Sequence, residues 1–174
     1  QGWIGRDQVA AHAIALQLSS FAFMVPLGLA QATTVRVGLY VGAGSSEGVR
    51  KAGWVALGLT LVFMTSSMVL LFMMPEALAG LFLDPGKAAN AAPLALAVSY
   101  LFITAVFQVF DGTQATMAAA LRGLNDTSVP MVIAIVGYWG IGFPTAWLLG
   151  FQAGFGGIGI WWGLAAGLAF VAIA

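Results

Sequence analysis

One acidic residue carries most of the chemistry this sequence offers. Residues 88–110 hold no charge, and Asp111 follows them inside the same apolar, helix-length run. An ionised carboxylate at bilayer depth is costly, so such groups face a bundle interior or a wet cavity and mark ion or proton pathways. At helical spacing Thr104, Phe107, Gln108, Gln114, Ala115 and Ala118 share its face, which predicts a polar stripe around the carboxylate. Arg122 lies on the same side, about three turns further on. The alternative for Asp111 is a protonated side chain that only hydrogen-bonds a neighbouring helix.

The other chemistry-bearing residues are few. His12 is the sole histidine and falls near one end of an apolar run, where a structural or interfacial role fits better than a proton relay. Thr65, Ser66 and Ser67 are expected to bond back to their own helix. Met64, Met68, Met73 and Met74 read as core or lipid-facing residues. The sequence has no cysteine, one histidine and no HExxH motif. Neither a metal site nor a nucleophile–base pair can be assembled from it, so it does not read as an enzyme, and no cofactor is expected beyond a transported ion.

The elements that must position Asp111 follow from where charge is missing. Residues 8–35, 52–75, 88–110 and 127–174 are free of Asp, Glu, Lys and Arg; 61% of the residues are hydrophobic and only 7% charged. A helix needs about 20 apolar residues to cross roughly 30 Å of hydrocarbon. The fold expected is therefore all-α, a polytopic membrane helix bundle with spans at 9–35, 53–74, 94–121, 129–150 and 158–174. Net charge is zero and no basic tract exists, which argues against nucleic acid as a partner. The chain opens without Met and stops inside an apolar run, so it is expected to be a piece of a longer protein.

The connections are punctuated. Arg36, Gly42, Gly44, Ser45, Ser46, Glu47, Arg50 and Lys51 read as a first loop; Pro75, Glu76, Asp84, Pro85, Gly86 and Lys87 read as a second, with a short interfacial helix at 77–83. Gly123 is placed for a helix C-cap, Asp126 or Thr127 for the next N-cap, and Pro130 for that helix's first turn. Gly154, Gly156 and Gly157 break the last pair. Arg36, Arg50, Lys51 and Arg122 collect on one side against Arg6 and Lys87 on the other, which makes the first and third loops cytoplasmic. Trp3, Trp54 and Trp147 near span ends read as interfacial anchors.

Two spans contain breakers near their middles. Pro26 with Gly28, and Pro144 with Gly140 and Gly142, are expected to act as packing kinks or as moving hinges. Gly159, Gly163 and Gly167 form a small-xxx-small ridge that lets another helix approach closely.

The stretch 107–114, FQVFDGTQ, followed by 121–127, LRGLNDT, and Pro130, resembles the multidrug and toxic compound extrusion (MATE) family, in its NorM-like branch. Residues 10–15 (AAHAIA), 35–38 (VRVG), 42–44 (GAG), Tyr138 with Trp139, and 157–161 (GIGIW) agree in order and spacing, so the resemblance covers nearly the whole chain. It implies that the five spans are the eighth to twelfth helices of a twelve-helix exporter, most of a C-terminal six-helix lobe, with the N-terminal lobe and one preceding helix absent.

The resemblance further implies antiport: an inward Na⁺ or H⁺ gradient drives export of organic cations or drugs from a cavity between two lobes, in the bacterial inner membrane. Asp111 matches the cation-coupling aspartate of that lobe, supported by Thr104, Gln108 and Gln114. Arg122, Gly123, Asp126, Thr127 and Pro130 match its loop motif. Phe107 stands where NorM-type sites can carry a Tyr hydroxyl. The implied partners are the lipid bilayer, small organic cations and the N-terminal lobe of the same polypeptide. The alternatives are a lipid-linked oligosaccharide or polysaccharide flippase of the same superfamily, whose cavities tend to be lined by several Arg residues, and a non-transporting membrane scaffold.

Overall fold

The structure, a computed structural model, describes residues 6–174. Its helices are α1 (Arg6–Gly42), α2 (Ser46–Met73), the short α3 (Pro75–Gly80), α4 (Ala91–Gly123) entered through a tight 3₁₀ turn at Ala88–Asn90, α5 (Ser128–Ile135), α6 (Phe143–Trp147) and α7 (Gly156–Ile173). Wide π-helical turns at Val136–Gly142 and Leu148–Gln152 join α5 to α6 and extend α6, so residues 128–152 form one span. Among the described residues five helices are long and apolar enough to cross a membrane and no strand occurs. Phe21, Trp54, Val62 and Phe143 are each more than 60% exposed on the outside of the bundle. Such a surface suits hydrocarbon and not water, and the chain is an integral membrane protein.

The helices overrun the spans read from the sequence. A helix of 37 residues such as α1 is roughly 55 Å long, well beyond a hydrocarbon core of about 30 Å. Charge avoidance marks the hydrocarbon and says nothing about where the backbone stops being helical. Consequently Arg36 lies inside α1, and Glu47, Arg50 and Lys51 lie in the first turns of α2. The first loop shrinks to residues 43–45. Similarly, the short helix expected at 77–83 is α3, which begins two residues earlier because Pro75 suits a first turn that needs no N–H donor, and gives way to turns after Gly80.

Both connections on the Arg-rich side are closed by the same device. At the end of α1 the Ser45 N–H donates to the Tyr40 carbonyl (2.9 Å), Gly44 takes a left-handed φ of 68°, and the Ser45 hydroxyl accepts from the Gly48 N–H (3.2 Å). At the end of α4 the Asp126 N–H donates to the Leu121 carbonyl (3.0 Å) and Asn125 takes the left-handed φ of 63°. Asp126 Oδ1 then accepts from the N–H groups of Ser128 (3.1 Å) and Val129 (3.2 Å). Asp126 is thus the capping side chain, while Thr127 makes no side-chain cap and Pro130 is the third residue of α5. The left-handed residue is Asn125, in place of the Gly123 expected from the sequence. Gly123 serves packing: a Cβ there would lie 2.7 Å from Val37 Cβ and 2.8 Å from the Thr34 carbonyl oxygen.

α4 is the hub, touching α1, α2 and α7, and α7 in turn carries the 128–152 span on its far side. The α2–α4 seam is polar at its centre: Thr60 hydrogen-bonds Thr116 (2.9 Å), and Gly112 gives room to Met64, whose Cγ a Cβ would approach to 2.9 Å. α7 is buried on two faces. On one, Trp161 is enclosed by the rings of His12, Tyr100 and Phe107 at 5.4–6.0 Å. On the other, the glycine ridge meets the fourth span as its spacing implies: Cβ atoms at Gly159 and Gly163 would fall 2.5 Å from Leu149 C and 2.3 Å from Ala146 Cα, and one at Gly167 2.9 Å from Gly142 Cα.

Pro26 is buried within an uninterrupted α1. Pro144 has a visible consequence. It lacks an N–H and its ring collides with the carbonyl four residues back, so the helix before it widens into the π turn ending at Gly142. The second wide turn, at Leu148–Gln152, has no proline to announce it; there Gly150 closes onto Ile160 and the Gly156 carbonyl.

Candidate functional site

Asp111 is half-buried near the middle of α4 and opens into a cleft of about 310 Å³ between α4 and α1. Ser19 and Ser20 of α1 face it there, with Phe23, Met24 and Phe107 as apolar walls. No described side chain hydrogen-bonds or ion-pairs with the carboxylate. From the opposite flank the 128–152 span brings Tyr138, whose hydroxyl donates to Gln114 Oε1 at 3.4 Å and lies within electrostatic reach of Asp111. Chemically this is a carboxyl group with hydroxyl neighbours in a cleft with largely apolar walls. It can bind a cation or exchange a proton.

The polar stripe read from the helix period is divided between neighbours. Gln108 is 1% exposed and turned into the α2–α4 seam, where its Oε1 accepts from the Ser67 hydroxyl at 3.3 Å. Ser67 therefore bonds across to α4 and not back to its own helix, unlike Ser66, whose hydroxyl donates to the Val62 carbonyl (2.8 Å). Thr104 is fully buried, one turn from both Tyr100 and Phe107, the two α4 residues that touch Trp161. Of the three polar residues Thr104, Gln108 and Gln114, only Gln114 remains beside the acid on an accessible face. Residues that share one side of a helix within about 60° can still meet different neighbours, and the sequence does not name those neighbours.

His12 packs edge-on against Trp161, half-buried, so it is a packing partner at the lower part of α1. Tyr100 hydrogen-bonds Gln8 across the same interface. Trp54 and Trp147 are exposed near helix ends, as interfacial anchors require; Trp3 lies outside the described residues. Three residues that matter here were not singled out as site or core residues from the sequence: Tyr138, Thr60 and Trp161. Tyr138 had a signal, a hydroxyl-bearing aromatic within a span otherwise poor in polar groups. Trp161 had none, because α7 is apolar all round.

Five helices able to cross a membrane, with a carboxyl group open to a cleft between two of them, define the class: a polytopic α-helical membrane protein. The MatE family model matches residues 1–148, and the chain belongs to the MatE family. It is 54% identical over 171 residues to a probable multidrug resistance protein NorM of Mesorhizobium japonicum, covering 98% of this chain and 37% of that relative. It is likewise 54% identical over 172 residues to the multidrug resistance protein NorM of Burkholderia vietnamiensis, covering 99% and 37%. The fold is similar to the crystal structure of the eukaryotic MATE transporter AtDTX14, with a TM-score of 0.88 at 23% identity, over 96% of this chain and 36% of that one. The chain spans little more than a third of the length of these proteins.

Proposed function

We propose that this chain is most of one lobe of a secondary antiporter that exports organic cations or drugs in exchange for Na⁺ or H⁺, with Asp111 as the group where cation and substrate compete. The observation that carries this reading is the Asp111 carboxylate itself, at mid-helix depth, open to a cleft and without a hydrogen-bonding partner among the described residues. An intramembrane acid kept for packing would be expected to spend its hydrogen-bonding capacity on a neighbour. The names of the NorM relatives point the same way.

On this reading the cleft is completed by a preceding helix and by the N-terminal lobe of the same polypeptide, in the inner membrane of a bacterium. Substrate reaches Asp111 from that shared cavity. Gln114 and Tyr138 orient the acid from one flank, while Ser19 and Ser20 offer oxygen ligands from the other. Pro26 and the Pro144 π turn are the points where the lobe can flex. Each ligand must alter the affinity of the site for the other, and the charge of Asp111 is the shared term.

The test is Asp111→Asn in the full-length protein. The variant should reach the membrane in normal amount and lose gradient-driven efflux of a fluorescent organic cation. If it keeps wild-type efflux together with wild-type dependence on the imposed Na⁺ or H⁺ gradient, Asp111 is a packing residue and the assignment fails.

A further inference from the structure

A second recess lies further along α1, toward its C-terminal end. A cavity of about 320 Å³ opens between α1 and α2, lined at its mouth by Arg36, Tyr40 and Lys51 and deeper in by Leu29, Val55 and Leu59. We propose that it binds one anionic phospholipid, with the phosphodiester at Arg36 and Lys51 and an acyl chain along Leu29, Val55 and Leu59.

The depth of the two cations fits a headgroup. Arg36 lies six residues before the end of α1 and Lys51 five after the start of α2, so both stand roughly 7–9 Å below the capped turn. One headgroup layer is about 5–8 Å thick, so the two residues stand at its inner boundary with the hydrocarbon. Trp54, one turn deeper than Lys51 and 68% exposed, marks the same level from the outside. Leu29 and Leu59 fall seven and eight residues deeper than the cations, at acyl depth.

Charge complementarity selects the occupant. No carboxylate lines the cavity, and the one ion pair among the described residues is Lys87 with Asp84, far from here. Glu47, one turn before Lys51, makes no ion pair with it. Two unpaired cations over an apolar slot match a lipid with net negative charge; a zwitterionic headgroup carries its own cation, which gains nothing here. The Lys/Arg asymmetry assigns this side to the cytoplasm, the leaflet side on which basic pockets between helices meet anionic lipid.

One cation is also held in place. The Arg36 guanidinium lies over the Tyr40 ring, 5.9 Å from its centroid, and that ring rests on Gly48, where a Cβ would lie 2.3 Å from Tyr40 Cδ1. Gly48 thereby lets Tyr40 pack closely against α2, and Tyr40 holds Arg36 at the mouth of the cavity.

The experiment is native mass spectrometry of the delipidated full-length protein, titrated with dioleoylphosphatidylglycerol or dioleoylphosphatidylcholine. The wild type should retain one phosphatidylglycerol in preference to phosphatidylcholine. Lys51→Gln and Arg36→Gln should each weaken that adduct several-fold, and together roughly tenfold or more. Lys51→Arg should preserve the preference, and Val55→Trp, which fills the slot and leaves both charges, should lose the adduct. Equal retention of the two lipids by the wild type, an unchanged preference in the double variant, an equal loss in Lys87→Gln, or displacement of the lipid by millimolar inorganic phosphate would each overturn the proposal.

Discussion

Thr60 donates its hydroxyl proton to Thr116 across the α2–α4 seam. The two oxygens are 2.9 Å apart, and Thr116 spends its own proton on the Gly112 carbonyl, also at 2.9 Å. With one proton per hydroxyl, the direction between them is fixed. Thr60→Val should therefore remove one interhelical bond and leave Thr116 satisfied as a donor, lowering stability by about 0.5–1 kcal/mol. Thr116→Val leaves the buried Thr60 donor to find its own backbone, at a larger loss of about 1–2 kcal/mol. Reversible unfolding in mixed micelles would rank the two, and an equal or reversed ranking would contradict the assigned direction.

The glycine ridge of α7 yields a sharper contrast. Gly163→Val would drive a side chain into the Ala146 backbone, where even a Cβ comes to 2.3 Å. A loss of at least about 2 kcal/mol is expected, or failure to accumulate in the membrane. Gly28→Ala, at a helical glycine with nothing within 4 Å of an added Cβ, should change stability by no more than about 1 kcal/mol and leave expression intact. Thermal melting of fluorescent fusions distinguishes the two.

The division of the polar stripe separates structural from transport residues. Gln108→Ala removes a contact of the α2–α4 seam, so it should lower thermal stability while efflux per folded molecule keeps its ion dependence. Gln114→Ala and Tyr138→Phe should do the reverse, with stability within about 1 kcal/mol of wild type and weakened gradient-driven efflux. A Gln108→Ala variant with normal melting and altered ion dependence would return Gln108 to the site.

Sidedness can be read directly. In a full-length protein cleared of other cysteines, Glu47→Cys and Thr127→Cys should resist a membrane-impermeant maleimide added to intact cells, whereas Ala88→Cys should react. All three positions are exposed, so accessibility within the fold does not decide the outcome. Labelling of Glu47→Cys from outside would invert the orientation inferred from Lys and Arg.

How far the fold was legible depends on which physical quantity each signal reports. The absence of charge in residues 52–75 located α2 because ionised groups avoid hydrocarbon, but α2 begins at Ser46 because the Ser45 hydroxyl caps Gly48 in the aqueous layer, where charge is tolerated. The spacing of Gly159, Gly163 and Gly167 correctly announced a close helix contact, since only a backbone approach needs three small residues in register. The left-handed position expected at Gly123 falls to Asn125 for a related reason: close packing on Val37 claimed the glycine, and asparagine tolerates the left-handed turn. The position of Asp111 inside a span could be read from the sequence. The separation of Gln108 from it could not, because a helical period tells which residues share a face and not which helix that face will meet.

The two matching turns, Tyr40 to Ser45 and Leu121 to Asp126, have a consequence for biogenesis. Their hydrogen bonds join residues at most five positions apart in the chain, so each turn can close as soon as its own segment has been made. α1 with α2, and α4 with the span that follows it, can then enter the bilayer as preset pairs of antiparallel rods. What remains for later assembly is lateral: α4 finding α1, and α7 sliding its glycines onto the span before it. A defect in either turn would be felt as a failure of insertion, before any cavity had formed.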